Sequence, residues 1–269
     1  MTLFDMIGKT YDDTRQAGDR IVARLSQLLN LPLGSEIADI GAGTGNYSIA
    51  LADAGFRVRA IEPPNGMRRQ ARQREEMEWL TGVAEHIPLT DASVDGVVST
   101  LAVCHFANIQ EAIAEMVRIS CTKSIVIFTF DCDPGKLTWL YEYFPFLWEA
   151  FEHMPSTTQL VRMLRDAASC KTDVEAFPLP PDLKDNFAAA SWRHPQRYLD
   201  EKYRANISSF RKAEPDALNQ SIRKLAEDLA SGAWYERYES VMHLLAFDAG
   251  YRFVFTSREE IPTMAFSGS

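Results

Sequence analysis

The chain has 269 residues, of which 46% are hydrophobic and 24% charged, a composition typical of a globular protein that buries its own core. Its net charge of -9 and sequence pI of about 5.1 argue against a general nucleic-acid binder, which needs a basic surface. No apolar stretch approaches the ~20 residues of a membrane span, and the first residues lack the pattern of a secretory signal, so we expect a soluble, cytoplasmic protein.

The first half of the chain alternates helical patterns with short apolar runs. In chain order the patterns predict a helix over 10–31, a strand over Glu36–Ile40, a helix over Asn46–Ala54, a strand over Phe56–Ile61, a polar helix over Met67–Glu76, strands over Glu78–Thr81 and Gly96–Leu101, a helix over Ile109–Ile119 and a strand over Ser124–Phe130. This alternation predicts a parallel, doubly wound α/β sheet with its binding crevice at the carboxyl ends of the strands.

The second half is mainly helical. Its patterns predict helices over 157–168, Pro195–Phe210, Asp216–Ser231 and Trp234–Phe247, and strands over Asp173–Leu179 and Gly250–Thr256. We interpret residues 185–247 as a helical insertion that covers the carboxyl edge as a lid, within one domain whose core is 1–184 and 248–269. An aromatic run between Trp139 and Trp148 is either a hydrophobic substrate wall or packing within the lid.

The cysteines and the acidic residues after the fifth strand indicate no metal site. The cysteines are Cys104, Cys121, Cys132 and Cys170. They form no CxxC pair and join no histidine cluster, so we expect free thiols. Asp131 and Asp133 have no third carboxylate at ligand spacing, so we predict that no metal binds there.

The turn GAGTG, residues 41–45, follows the first predicted strand. A dinucleotide fingerprint, G-x-G-x-x-G, would have its third glycine at position 46, which is Asn46. Asp39, two positions before the first glycine, would repel a pyrophosphate but suits a cationic ligand; the alternative is that it caps the next helix. Glu62 closes the second strand, where a carboxylate takes both ribose hydroxyls or, alternatively, acts as a solvated cap. The turn therefore predicts a nucleoside ligand without a pyrophosphate.

Several further segments stand in a fixed order around this turn. They are YDDTR (11–15), GVAEHIPL (82–89), DASVD (91–95), STLAVCHF (99–106) and EMVRI (115–119). Over about residues 8–131 the chain resembles the class I S-adenosylmethionine-dependent methyltransferases. The tail segments FPLPPDLKDNF, SWRHPQRYLD, NISSF, DLASGAWYERY and DAGYRF resemble a bacterial, type 11 methyltransferase-like subfamily. The expected fold is a Rossmann-like, doubly wound, mostly parallel seven-stranded sheet with the helical lid insertion.

The resemblance implies S-adenosylmethionine as cofactor and a set of cofactor-binding residues. They are Tyr11, Arg15, Asp39, Gly41, Ala42, Gly43, Gly45, Glu62, Pro63, Met67, Ala84, Glu85, Ser99 and Leu101. Val83 stands where the family commonly has an Asp that bonds the adenine amino group, so adenine recognition would fall on the backbone of Ala84 and on Glu85. His105, after the fourth strand, is the candidate general base, because histidine ordinarily titrates at about 6.5; a packed, structural histidine is the alternative.

The resemblance also implies the type of reaction. We expect SN2 methyl transfer to a small-molecule acceptor, without general nucleic-acid or membrane binding; a homodimer stays open. A nucleic-acid or protein methyltransferase would need a basic track or target motif, and the sequence has neither. A non-catalytic S-adenosylmethionine-binding protein is a third reading. A nicotinamide-dependent oxidoreductase is the fourth, against which Asn46 and Asp39 count.

Overall fold

The strands form one mixed sheet. The computed structural model describes residues 16–64, 74–131, 138–149 and 154–257. Within these ranges the strands are β1 (Glu36–Ile40), β2 (Arg57–Glu62), β3 (Met77–Thr81), β4 (Val94–Thr100), β5 (Ser120–Phe130), β6 (Thr172–Ala176) and β7 (Tyr251–Thr256). Their order is β3-β2-β1-β4-β5-β7-β6, in which β7 runs antiparallel to β5 and β6 and the other pairs are parallel. The predicted doubly wound, mostly parallel sheet of seven strands is confirmed.

Helices cover both faces of this sheet. Those of the described residues are α1 (Asp19–Leu29), α2 (Asn46–Asp53), α3 (Ile109–Ile119), α4 (Thr138–Tyr143), α5 (Phe146–Glu149), α6 (Thr157–Ala168), α7 (Glu201–Ala205), α8 (Ser208–Lys212), α9 (Pro215–Ser231), α10 (Ala233–Arg237) and α11 (Glu239–Met242). Two apolar clusters result, one that includes the buried faces of α1 and α2, and one that includes those of α3 and α6. Central strands such as β5 are therefore apolar along most of their length, since neither face meets water.

The aromatic run of α4 and α5 packs inside the helical part of the chain. Trp139, Tyr143 and Phe144 are each at most 1% exposed. The Trp139 ring meets the rings of Tyr198 and Trp234 edge to face, at centroid distances of 5.5 and 5.3 Å. Such aromatic pairs stabilise beyond simple burial. Of the two interpretations of this run, packing within the helical layer is the one that the geometry supports.

Helix bounds in the second half differ from the sequence prediction. The predicted helix over Pro195–Phe210 is a 3₁₀ turn followed by α7 and α8. The reason is local: the Asp200 side chain accepts a hydrogen bond from the Lys202 N–H and starts a new helix, and Ile207 is extended. The helix predicted over Trp234–Phe247 is also split, because Tyr238 leaves the helical conformation, and it ends at Met242.

Two helix predictions in the first half of the chain also change. The helix predicted over 10–31 begins at Asp19, with residues 16–18 non-helical and residues 10–15 outside the described ranges; it ends as expected at Asn30, which is left-handed with φ 49°. For the helix predicted over Met67–Glu76, residues 74–76 are not helical, and 67–73 lie outside the described ranges. No helix in the described ranges has the length and apolarity of a membrane span.

Candidate active site

A cavity of about 330 Å³ lies at the carboxyl edge of the sheet. One side, which we call the core wall, is built by residues that follow or end strands: Gly41–Thr44 after β1, Glu62 and Pro63 at β2, Gly82–Glu85 after β3, Thr100–Ala102 and Cys104–Ala107 after β4, Phe130 in β5 and Tyr251 in β7. The opposite side, the insertion wall, consists of Asp185, Phe187, Ala188 and Asn206–Ser209. A crevice at the edge where the strand order reverses is the usual ligand site of an open α/β sheet.

The glycine turn is fastened to β2. The backbone N–H groups of Gly41 and Ala42 both donate to the Ile61 carbonyl, at 2.9 and 3.1 Å. The Gly43 N–H donates to Oε2 of Glu62 at 3.0 Å. Gly41 and Gly43 have φ values of 76° and 61°, a backbone region that favours glycine. The turn and the Glu62 carboxylate therefore form one preorganised unit on the core wall.

Gly41 and Gly45 each pack so closely against another residue that a side chain would not fit. A Cβ atom on Gly41 would come within 2.5 Å of the Ala102 Cβ, on the wall of the cavity. A Cβ on Gly45 would come within 2.6 Å of the Trp79 ring, behind the turn. Gly45, predicted to bind the cofactor, does not line the cavity. The missing side chain of Gly45 lets the start of α2 pack closely on β3.

Asp39 and Ser99 lie beneath the turn and do not line the cavity. Asp39 is 1% exposed and accepts a hydrogen bond from the Ser48 hydroxyl at 2.5 Å. The Ser99 hydroxyl donates to the Ile40 carbonyl at 3.0 Å. Cofactor binding by these two residues, direct or indirect for Asp39 and through the backbone for Ser99, stays a prediction. Burial raises the pKa of Asp39 to about 6, and the nearby Glu62 charge adds to the rise.

The raised pKa predicts that Asp39→Asn stabilises the protein near neutral pH. The folded chain keeps this proton to a higher pH than the unfolded chain, whose carboxyl has the ordinary value of 3.8. Stability is therefore lost as pH rises through the folded pKa, and Asn, which still accepts from Ser48, avoids that loss. We expect a gain of up to ~3 kcal/mol in unfolding free energy at about pH 7.5 and almost none at about pH 4.

Urea unfolding at the two pH values measures this effect. Asp53→Asn, which changes an exposed carboxylate at the end of α2, is the matched control and should be neutral at both. An Asp39→Asn effect of equal size at both pH values would contradict the assignment to ionisation.

The remaining core-wall residues form two loops beside the turn. Ala84 and Glu85 line the cavity, and the Glu85 carboxylate accepts a hydrogen bond from the Asn108 N–H at 3.0 Å. Leu101 also lines it and has φ 55°, a strained conformation for a bulky residue of the kind that clusters at functional sites. The Leu101 N–H is held by the Phe128 carbonyl at 2.8 Å.

Two buried hydroxyls on the core wall lack a hydrogen-bond partner within the described residues. They are those of Thr44 in the glycine turn and Thr100 at the end of β4. A buried hydroxyl left without a partner costs free energy, so such groups normally meet a ligand or an ordered water. With the acidic Glu62 and the open glycine backbone, the core wall fits a polar nucleoside.

Comparison with known proteins identifies the family. A family model described as a methyltransferase domain matches residues 38–128, which contain most of β1, all of β2 to β4 and most of β5. A crystal structure from Anabaena variabilis, described as a methyltransferase from an antibiotic biosynthesis pathway, is 45% identical with a TM-score of 0.89, and the match covers 91% of this chain and 99% of that one. The chain belongs to the class I S-adenosylmethionine-dependent methyltransferases.

Curated methyltransferases are more distant. The malonyl-[acyl-carrier protein] O-methyltransferase of Yersinia pestis is 34% identical over 127 residues, which are 47% of this chain and 48% of that protein. The demethylmenaquinone methyltransferase of Paenarthrobacter aurescens is 25% identical over 236 residues, 82% of this chain and 88% of that protein. The match spans about half of the Yersinia protein. Their names agree on methyl transfer and differ in the acceptor.

The methyltransferase cofactor is S-adenosylmethionine. The residues predicted to bind it can be located in the structure. Of those on described residues, the ones that line the cavity are Gly41, Ala42, Gly43, Glu62, Pro63, Ala84, Glu85 and Leu101. Tyr11, Arg15 and Met67 lie outside the described residues. His105 ends a short 3₁₀ turn, Val103–His105, and lines the cavity with an exposed side chain.

The sequence analysis placed residues 185–247 over this edge of the methyltransferase but named none of the residues that line the insertion wall. Asp185 and Asn206 line the cavity, as does Tyr47 at the start of α2. The Tyr47 hydroxyl donates to Oδ2 of Asp185 at 2.9 Å and joins the two walls. The one available signal was that KDNF (184–187) and NISSF (206–210) belong to the tail segments that resemble a subfamily.

The sequence predicted no metal near Asp131 and Asp133. In the described ranges, no three His, Cys, Asp or Glu residues come together in a way that could hold an ion. Asp131 instead accepts a long hydrogen bond from the Thr157 N–H at 3.4 Å, at the start of α6. Asp133 and Cys132 lie outside the described residues.

Proposed function

We propose that this protein transfers the methyl group of S-adenosylmethionine to a small-molecule acceptor by in-line SN2 displacement. The observation that carries the proposal is the clasp between the Gly43 N–H and the Glu62 carboxylate on the cavity wall. It presents a carboxylate where a ribose is bound in this fold, beside a backbone that a ligand can approach closely. When bound, S-adenosylmethionine supplies an activated methyl group on a sulfonium sulfur.

The chain's own contribution is alignment and exclusion of water. Glu62 would accept hydrogen bonds from the ribose hydroxyls, and the loop with Ala84 and Glu85 would hold the adenine. Leu101 and the glycine turn would face the methionine part. Residues from both walls enclose the cavity, and holding two reactants in line supplies much of the rate gain in such a displacement.

A small-molecule acceptor is supported by the enclosure of the cavity and by the charge of the chain. The insertion wall faces the core wall across about 330 Å³, which suits a small ligand better than a polymer. The net charge of -9 disfavours a nucleic-acid substrate. The lid role of residues 185–247 is part of this proposal.

We further propose His105 as the base for an acceptor that must lose a proton. His105→Gln is expected to lower kcat about 100-fold while the Kd for S-adenosylmethionine changes less than about twofold, because general bases contribute about this much. His86→Gln, an exposed histidine of the neighbouring loop that does not line the cavity, is the matched control. Steady-state kinetics gives kcat and calorimetry gives the Kd for S-adenosylmethionine. If His86→Gln lowers kcat as much as His105→Gln does, His105 has a structural role and is not the base.

Binding and turnover test the function itself. Calorimetry with S-adenosylmethionine should give saturable, one-to-one binding, and incubation with a metabolite panel should release S-adenosylhomocysteine. No saturable binding would refute the proposal. Binding with no turnover across the panel would favour the non-catalytic alternative, and preferential binding of NADH would favour the oxidoreductase.

A further inference from the structure

Three aromatic residues join the two walls of the cavity. Phe130 at the end of β5, Tyr251 at the start of β7 and Phe187 on the insertion wall all line it, and we call them the aromatic group. The Tyr251 ring centroid lies 4.6 Å from that of Phe187 and 5.8 Å from that of Phe130. Phe128, a fully buried residue of β5, contacts the Phe187 and Tyr251 rings at 6.4 and 5.8 Å. The aromatic group is therefore anchored in the core of the protein.

The strand order separates the aromatic group from the proposed ribose site. Glu62 ends β2, whereas Phe130 and Tyr251 belong to β5 and β7. In the sheet β5 lies three places from β2 and β7 lies four, so at ~4.8 Å per strand their axes are about 14 and 19 Å from that of β2. His105, the proposed base, follows β4, which lies between them. The aromatic group is thus on the far side of the proposed base from the ribose site, where the acceptor is expected.

The insertion wall adds apolar side chains and a buried hydroxyl. Ala188, Ile207 and Ser209 line the cavity. Ser209 is 2% exposed, and its hydroxyl has no hydrogen-bond partner within the described residues. A ligand that supplies a partner for such a hydroxyl removes the cost of leaving it unpaired.

The charged residues of the lining disfavour an anionic acceptor. The lining residues that the structure describes include neither lysine nor arginine. A carboxylate or phosphate on the acceptor would therefore leave water without gaining a lysine or arginine partner from these residues. Burying an unpaired charge is costly, whereas an uncharged ring gains free energy from leaving water and from contact with other rings.

We propose that the acceptor is an uncharged small molecule built on an apolar, planar ring system, which packs against the aromatic group and hydrogen-bonds through one polar substituent to the Ser209 hydroxyl. The inference rests on the proposed methyltransferase function, because it assigns the second occupant of the same cavity. Phe187 and Ser209 then determine acceptor specificity, the first through ring contact and the second through a hydrogen bond.

Three probes test the class of the acceptor: 2-naphthol, which is an uncharged ring at pH 7, 2-naphthoate, which is the same ring with a charge, and ribitol, which is uncharged and has no ring. Equilibrium dialysis against the full chain saturated with S-adenosylhomocysteine gives each Kd. We expect 2-naphthol to bind at least about tenfold more tightly than either of the others, because only it combines apolar burial with no buried charge.

Ring contact is tested by a pair of phenylalanine variants. Phe187→Leu keeps an apolar side chain but removes the ring, so the affinity for 2-naphthol should fall about fivefold. Phe177→Leu is the matched control, because the Phe177 ring also contacts Phe128, at 5.5 Å, but does not line the cavity. Its affinity for 2-naphthol should stay within about twofold of the wild type. Phe130→Leu, at a half-buried position of the aromatic group, replaces Phe187→Leu if that variant does not fold.

The hydrogen bond is tested by Ser209→Ala with a fourth probe, naphthalene, which has the ring but no polar substituent. We expect the affinity for 2-naphthol to fall about fivefold and that for naphthalene to stay within about twofold, since a neutral hydrogen bond contributes about this much. The Kd for S-adenosylhomocysteine should not change. A purely structural role of Ser209 would weaken both ring probes equally.

The outcomes distinguish this inference from the proposed function. No binding of 2-naphthol, ribitol or 2-naphthoate binding as tightly as 2-naphthol, or equal losses in Phe187→Leu and Phe177→Leu would each overturn the proposed acceptor class. Equal losses of 2-naphthol and naphthalene in Ser209→Ala, or weaker S-adenosylhomocysteine binding by that variant, would overturn the role of Ser209. A wild-type chain that binds neither S-adenosylmethionine nor S-adenosylhomocysteine would instead overturn the proposed function.

Discussion

Glu62→Ala is expected to weaken S-adenosylmethionine binding about 1,000-fold, because two hydrogen bonds to a charged acceptor are worth roughly 4 kcal/mol together. The same substitution leaves the Gly43 N–H without its 3.0 Å acceptor. The turn then loses the group that fixes it against β2. Binding should suffer far more than folding, since the Ile61 carbonyl still holds Gly41 and Ala42. Calorimetry gives the Kd, and thermal unfolding reports on the fold.

Two variants calibrate that result. Glu62→Gln keeps the shape and an acceptor for Gly43 but loses the charge, so its loss should be intermediate, about tenfold. Glu78→Ala removes an exposed carboxylate from the neighbouring strand β3 and should bind the cofactor as the wild type does. If the Kd of Glu62→Ala for S-adenosylmethionine lies within about threefold of the wild-type value, the Glu62 carboxylate does not bind the cofactor.

Gly41→Ala is expected to destabilise the fold and to weaken cofactor binding at the same time. The added Cβ would lie 2.5 Å from the Ala102 Cβ, at a backbone φ of 76°. Left-handed strain of about 1–2 kcal/mol adds to an overpacking cost of about 1–3 kcal/mol, which together suggest a loss of ~3 kcal/mol in unfolding free energy. Because Ala102 and Gly41 both line the cavity, cofactor binding should fall as well.

The chain offers a matched control for the strain. Gly34 has φ 84° with nothing within 4 Å of its Cβ position, so Gly34→Ala carries the strain without the collision. Urea unfolding of the two variants should differ by the overpacking cost. The double variant Gly41→Ala with Ala102→Gly should recover part of the difference, and no recovery would mean that the collision is not with Ala102.

Much of the core could be predicted because local signals and tertiary packing agree there. The bounds of β1, α3 and α6 coincide with the sequence prediction. Asn108 caps α3 through hydrogen bonds from Gln110 and Glu111, and α6 starts with a capping box at Ser156. The helices of the insertion were less predictable, because short local contacts, such as the Asp200 side chain that accepts from the Lys202 N–H, break a sequence pattern that reads as one continuous helix.

The candidate site also has a part that the sequence predicts and a part that it does not. The core wall follows from motifs, since the ends of parallel strands meet at one edge. The sequence does not show which motif residues reach the cavity. Asp39, Gly45 and Ser99 belong to the same motifs but lie behind the residues that line it. Nor could Asp185, because its partner Tyr47 is 138 residues away and no local spacing joins them.

The antiparallel pair β6 and β7 has a consequence for how this enzyme family can diversify. The chain leaves the sheet after Ala176 and returns at Tyr251, and backbone hydrogen bonds between Leu179 and Phe247 tie the two ends together. Residues 177–250 therefore form an inserted segment whose two ends are held next to each other by the paired strands. Doubling its length would add only ~0.6 kcal/mol of closure entropy, so we expect related chains to exchange this block, and with it Asp185, while the cofactor half stays intact.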